Sequence, residues 1–400
     1  MTVIVDVYRK GQSIWLDFLS RALVQGGGLR DLVEMGVRGV TSNPTIFHKA
    51  ISEGDEYDHA LAELLRADPG ARTEDLGRWL MVEDVQRAAD LLRGVYEQSR
   101  GRDGFVSLEV PPDLAYDTEG TVEAARELWQ QVDRPNLMIK VPGTREGLPA
   151  ITRLLAEGVN VNVTLLFSVR RYEEVVEAFL EGVARHPRPE RLASVASFFV
   201  SRVDTKVDAR LEAMDSEEAR RLVGRIAIAN AKVAYQRYLA LKQTPAFRAQ
   251  LQRGAAPQRL LWASTGMKRP DRSPILYVQE LIGPETVATL PPQTLDAFVA
   301  QGEARETLTA GVEGAQRDLE ALAGLGIDLE AICRELEAEG VQAFADSWRA
   351  LHQALEEKRA RLLEEAGAET GEGEAPATET GAAGAQEGAQ EPGREAGAAS

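Results

Sequence analysis

Residues 136–143 read Asn-Leu-Met-Ile-Lys-Val-Pro-Gly, a short apolar strand that a Pro-Gly turn stops just past Lys140. A strand flanked by helices is buried on both faces and should be continuously apolar. Lys140 interrupts that run. An ammonium placed there loses hydration, and burial favours the neutral amine, the form that attacks a carbonyl. Schiff-base chemistry is therefore open to Lys140; the plain alternative is a lysine reaching solvent from the strand end.

Other polar side chains break apolar runs in the same way. Asp17 falls near the end of residues 13–18, Asn43 just after residues 38–42, and Glu109 within residues 105–110. Asn162 and Thr164 lie in residues 159–166, Ser197 in residues 192–199, and Ser264 closes residues 259–264. Each alone has an ordinary reading: Asp17 can cap a helix, Asn43-Pro44 can start a turn, and the serines can be small satisfied strand residues. Seven strand ends carrying polar groups together point to one shared mouth. An amine nucleophile facing two carboxylates is the equipment of carbonyl chemistry with proton transfer.

The elements that position these residues follow from the pattern. Eight short strands are expected, the seven above and residues 285–290, stopped by Pro291-Pro292. Nearly all are separated by helical segments, among them residues 73–96 with Thr73 as N-cap and residues 168–184 with Ser168 as N-cap. A long helical region runs from Arg202 to Lys242. Such alternation implies right-handed parallel β–α units, and eight of them suit a closed (β/α)8 barrel of the α/β class, with its site at the C-terminal strand ends. An open doubly wound sheet is the alternative, but no Gly-x-Gly-x-x-Gly turn follows the first strand.

The chain has 400 residues, 44% of them hydrophobic, and 46 Lys and Arg against 63 Asp and Glu give a net charge of −17. That field repels nucleic acid and anionic membranes, although a few local cations can still hold a small anion. Cys333 is the only cysteine and reads as a buried apolar residue. No signal peptide, membrane span, Walker-type loop or Gly-x-Ser-x-Gly turn appears, so a cytoplasmic protein is expected. His48, His59, His186 and His352 lack metal-ligand spacing and read as structural or surface residues. Phe199 reads as a wall of the pocket, and Phe198 and Met267 as packing. Residues 1–365 form the expected catalytic domain. Residues 366–400, composed of Ala, Gly, Glu, Thr, Gln and Pro with Arg394 and Ser400 and no aromatic, Ile, Leu or Val, form an expected disordered acidic tail.

Four separated segments carry a family resemblance: Thr41-Ser42-Asn43-Pro44-Thr45, Met138-Ile139-Lys140-Val141-Pro142, residues 162–168 (Asn-Val-Thr-Leu-Leu-Phe-Ser) and residues 197–202 (Ser-Phe-Phe-Val-Ser-Arg). Together they resemble transaldolase, and residues 262–268 (Trp-Ala-Ser-Thr-Gly-Met-Lys) look like the longer bacterial branch of that family. The resemblance covers residues 10–360. It implies a circularly permuted class I aldolase barrel that moves a dihydroxyacetone unit between sugar phosphates without cofactor or metal, as a monomer or homodimer. Lys140 then resembles the Schiff-base lysine, Glu109 the acid/base acting through a water, and Asp17 the carboxylate that handles the hydroxyl proton. Asn43, Asn162, Thr164 and Ser197 would position water and substrate hydroxyls, and Arg202 with Ser264 would hold the phosphate. Many shorter relatives have a second phosphate-binding arginine just after the seventh-strand serine; here Thr265-Gly266 stand there, with Lys268 as the expected substitute. The N-terminal extension and the acidic tail are also unlike the shorter enzymes. A plain aldolase releasing free dihydroxyacetone, such as a fructose 6-phosphate aldolase, is the alternative within the same fold.

Overall fold

The structure, a computed structural model, describes residues 2–371. Eight parallel strands close into a barrel in sequential order: β1 (Gln12–Asp17), β2 (Gly39–Thr41), β3 (Phe105–Glu109), β4 (Leu137–Pro142), β5 (Val161–Leu166), β6 (Ser194–Phe199), β7 (Arg259–Ala263) and β8 (Thr286–Leu290). Closure is made by β8 against β1, from Gln12 opposite Thr286 to Leu16 opposite Leu290. The expected (β/α)8 architecture is the one found. Every residue of β4, β5 and β6 is buried, which explains their largely apolar sequences and makes each polar exception informative.

Helices cover the barrel and bury apolar side chains against it. In the helix Val169–Arg185 the buried residues Tyr172, Val175, Val176, Phe179 and Val183 follow helical spacing, and the Ser168 hydroxyl caps its start by accepting from the Arg171 amide at 3.1 Å. Five helices matter below: α1 (Val3–Arg9), α2 (Pro44–Ser52), α3 (Thr73–Gln98), α4 (Ser201–Glu212) and α5 (Leu329–Gly371).

Some expectations need correction. Helix α1 precedes the first strand; its two buried residues, Ile4 and Val7, are too few to show a period. Thr73 is not the cap of α3. Arg72 occupies that position with extended backbone and no capping side chain, while the Thr73 hydroxyl bonds Glu356 of α5. The helical region after Arg202 divides into α4, Glu217–Leu222 and Ile226–Leu241, with Gly224 at φ +72° between the last two. Helix α5 continues to Gly371, beyond residue 365, where the composition changes; residues 372–400 of the expected tail lie outside the described residues.

The two ends of the barrel differ. At the N-terminal end Asp103 accepts from Ser13 Oγ at 2.7 Å and Trp15 Nε1 at 3.1 Å, and pairs with Arg259 at 3.1 Å. Gly39 is required beside this plug, since a Cβ there would lie 2.5 Å from the Trp15 ring. At the C-terminal end α5 crosses the mouth. It packs on α2, which follows β2, and on α4, which follows β6, strands on opposite sides of an eight-strand ring. The hydroxyls of Thr45 and Ser347 meet at 2.7 Å on one side, and Glu335 pairs with Lys206 at 3.0 Å and Arg210 at 2.7 Å on the other.

Candidate active site

Lys140 and Glu109 are direct neighbours in the β3–β4 register, and Lys140 is likewise opposite Asn162 across β4–β5. The Lys140 ammonium donates to the Ser42 carbonyl at 2.9 Å and to Glu109 Oε2 at 3.1 Å. Lys140 is 5% exposed and Glu109 7%, so this pair is shielded from bulk water. Burial pushes the Glu109 carboxyl above the usual range, opposed mainly by the charge of Lys140.

Asp17, at the end of β1, accepts from Thr41 Oγ1 at 2.7 Å. Thr41 has one proton to give, so the Thr289 hydroxyl, 2.7 Å away, supplies the proton of the second contact. Burial raises the Asp17 carboxyl too, against the pull of Lys140, Thr41, Arg202 and Lys268. Two carboxyls with raised proton affinity in one site with an amine are suited to proton transfer.

These groups share a cavity of about 90 Å³ lined by Asp17, Asn43, Lys140, Thr164, Ser197, Arg202 and Ser264, with Thr41, Phe199, Ala263, Thr289 and Phe344. A larger cleft of about 990 Å³ around Trp79 and Arg87 has no such convergence of amine and carboxylates, so volume alone does not mark the site.

Inside the barrel the polar groups form a chain: Ser197 Oγ donates to Asn162 Oδ1 at 2.6 Å, and Asn162 Nδ2 donates to Ser107 Oγ at 3.0 Å. Thr164 Oγ1 and Glu109 Oε1 are buried without a hydrogen-bond partner among the described residues. Leaving such atoms unpaired costs about 1–3 kcal/mol each, a cost that an incoming water or hydroxyl removes. Thr164 sits where β5 shifts register against β6, next to Leu165 at φ +60°, so the irregularity that aims its side chain is local to the site.

Asn43 caps α2, its Oδ1 accepting from the Ile46 amide at 3.0 Å, and also lines the cavity. Arg202, half-buried at the start of α4, lies over the rings of Phe199 and Phe344, 5.4 and 5.8 Å from their centroids. Ser264 holds φ +54° and its hydroxyl meets Ser201 Oγ at 2.8 Å, which ties the end of β7 to the start of α4. Lys268 does not line the cavity; it is exposed on the loop after β7, although its charge reaches Asp17. Sequence reasoning missed Thr41, Thr289 and Phe344. The two threonines follow the same strand-end logic as the others, whereas Phe344 lies on α5, far from any strand in sequence.

The chain matches the Transaldolase/Fructose-6-phosphate aldolase family over residues 14–355. The chain belongs to that family. Its relatives include the transaldolase of Frankia alni, 49% identical over 350 residues that cover 85% of this chain and 93% of the relative. The transaldolase of Thiobacillus denitrificans is 48% identical over 356 residues, 88% of this chain and 99% of that protein. The transaldolase of Mycobacterium bovis is 47% identical over 359 residues, 88% and 95% of the two chains. The family match contains all eight strands from the third residue of β1 onward and ends within α5. Among the described residues no helix is long and apolar enough to cross a membrane.

Proposed function

We propose that this family member is a transaldolase that carries a dihydroxyacetone unit on Lys140. The donor is fructose 6-phosphate or sedoheptulose 7-phosphate, and the acceptor is glyceraldehyde 3-phosphate or erythrose 4-phosphate. The observation that carries the reading is a buried amine in hydrogen-bond contact with Glu109 and facing Asp17 across one small cavity.

The chemistry follows from those positions. Neutral Lys140 attacks the ketose C2 carbonyl, and Glu109, through a water at its free oxygen and Thr164, protonates the departing hydroxyl. Water leaves and the C2 iminium remains. Asp17 removes the C4 hydroxyl proton, the C3–C4 bond breaks, and the electron pair is taken up as the enamine. The aldose leaves, an acceptor aldehyde enters, and the enamine carbon bonds its carbonyl carbon while the new hydroxyl takes its proton from Asp17. Water then adds to C2, the C–N bond breaks, and Lys140 is free. The iminium is the electron sink, so no step calls for a metal or an organic cofactor. Arg202 with Ser264 holds the phosphate, and Lys268 supplies a second cation at the rim. Asn43, Asn162 and Ser197 orient the dihydroxyacetone hydroxyls.

The enzyme is read as cytoplasmic, a monomer or homodimer, with its catalytic domain ending in α5. Release of free dihydroxyacetone is the second reading, because the family name covers both activities. The covered mouth favours transfer. A mixture of fructose 6-phosphate and erythrose 4-phosphate should yield sedoheptulose 7-phosphate and glyceraldehyde 3-phosphate in equal amounts. Free dihydroxyacetone as the main product would establish the aldolase instead.

A further inference from the structure

Helix α5 spans the mouth between elements that follow opposite strands, and the residue it lowers into the cavity is Phe344. The ring is 4% exposed and its centroid is 5.8 Å from both Lys140 Nζ and Arg202 Cζ. The helix is held close: one turn earlier, a Cβ on Gly340 would lie 2.8 Å from Leu165 and 3.4 Å from Arg202. Ser347, one turn later, is anchored to Thr45. Phe344 is thus the apolar cover over the amine, seated between these two contacts.

We propose that Phe344 sets the partition between transfer and release of the carbon unit held on Lys140, an inference that rests on the Schiff-base reading above. The enamine has two fates. It attacks an acceptor aldehyde, or its terminal carbon takes a proton, after which water adds to the iminium C2, the C–N bond breaks, and free dihydroxyacetone and the Lys140 amine result. Hydrolysis at C2 ends both fates. What commits the unit to release is protonation of the enamine carbon, which requires a proton donor such as water to reach it above the lysine, where Phe344 sits. The cavity beneath it, about 90 Å³, is also well below the ~300 Å³ and more of a ligand pocket. Entry of a sugar phosphate therefore displaces this part of α5, and its return after the aldose leaves shields the enamine until an acceptor comes.

The test is a graded series, Phe344→Leu, Phe344→Val and Phe344→Ala, in the full-length enzyme. For each, the rate of dihydroxyacetone release from fructose 6-phosphate alone is divided by the rate of sedoheptulose 7-phosphate formation with erythrose 4-phosphate present. The ratio should rise as the side chain shrinks, reaching at least about tenfold over wild type in Phe344→Ala and staying within about threefold in Phe344→Leu. If Phe344→Ala does not fold, the step from Leu to Val carries the same gradient. A flat ratio across the series, or Phe344→Leu releasing as much as the smallest variant, overturns the role of the ring. Borohydride trapping of the wild type separates the two levels: trapping on Lys140 with a flat ratio overturns only the cover, and absence of trapping on Lys140 overturns the Schiff-base reading with it.

Discussion

Glu109 Oε2 lies 3.1 Å from Lys140 Nζ, and the two residues are paired directly across neighbouring strands. Adjacent strands run about 4.8 Å apart. The contact between acid and nucleophile is therefore set by the β3–β4 register and not by a mobile loop. The same register places Asn162 on the other side of Lys140. A sheet holds such geometry more tightly than loops do, as a step that needs sub-ångström placement requires.

Thr41 tunes Asp17. Its hydroxyl donates to the carboxylate at 2.7 Å and works against the burial that raises the Asp17 carboxyl. Thr41→Val removes the bond, so Asp17 holds its proton to higher pH. The base form needed for carbon–carbon cleavage is then lost earlier on acidification. The acidic limb of the kcat profile should move up by about one pH unit, the equivalent of one hydrogen bond to a charged group. An acidic limb that stays in place would assign the limb to another group.

Arg202 is the guanidinium that lines the cavity, in a protein of net charge −17. Charge-assisted bonds to a partly desolvated phosphate are worth about 1.5–3 kcal/mol each. Arg202→Ala should cut kcat/KM for fructose 6-phosphate by roughly 10- to 1,000-fold, with a far smaller loss for fructose. Equal losses for both substrates would move the phosphate site elsewhere, with Lys268 the next candidate.

Much of this was readable before any coordinates. The barrel shows in the sequence because strands buried on both faces leave apolar runs, and the mouth shows because Asp17, Glu109, Lys140, Asn162 and Ser197 break those runs. Thr289 was within reach of the same argument, being the polar residue near the end of the eighth strand. Phe344 was not: its place follows from α5 folding back across the ring, a tertiary event with no local pattern. The position of Lys268 was not legible either, for a different reason. It is close to Ser264 in sequence, but the backbone turns at Ser264, at φ +54°, and Lys268 ends exposed and outside the cavity.

Asp204 gives a stability signature. It is 2% exposed, accepts from the Ala227 amide at 2.7 Å and Tyr277 Oη at 2.9 Å, and is pushed up to about 6, mainly by burial. A carboxyl raised in the folded state binds its proton there while the unfolded chain has already released it. Its contribution is complete below the unfolded value of 3.8 and is lost as pH rises through about 6. Between pH 5 and 7.5 this group should remove roughly 1.4 kcal/mol from the unfolding free energy. Urea titrations at both values should show that loss shrinking by about this amount in Asp204→Asn. An unchanged pH slope would show that Asp204 ionises normally.

The tail can be removed where the described helix ends. Truncation after Gly371 deletes residues with no aromatic, Ile, Leu or Val, a composition expected to contribute little to the core. Tm should stay within about 2 °C and turnover within about twofold. A larger drop in either would mean that this segment docks on the folded domain.

The central claim is that Lys140 carries the three-carbon unit. The enzyme is incubated with fructose 6-phosphate, reduced with borohydride, digested and mapped by mass. One dihydroxyacetone-derived addition is expected on the peptide containing Lys140, and none in Lys140→Arg, since arginine stays protonated and cannot form the imine. Label on another lysine, such as Lys232 or Lys268, or its survival in Lys140→Arg, would contradict it.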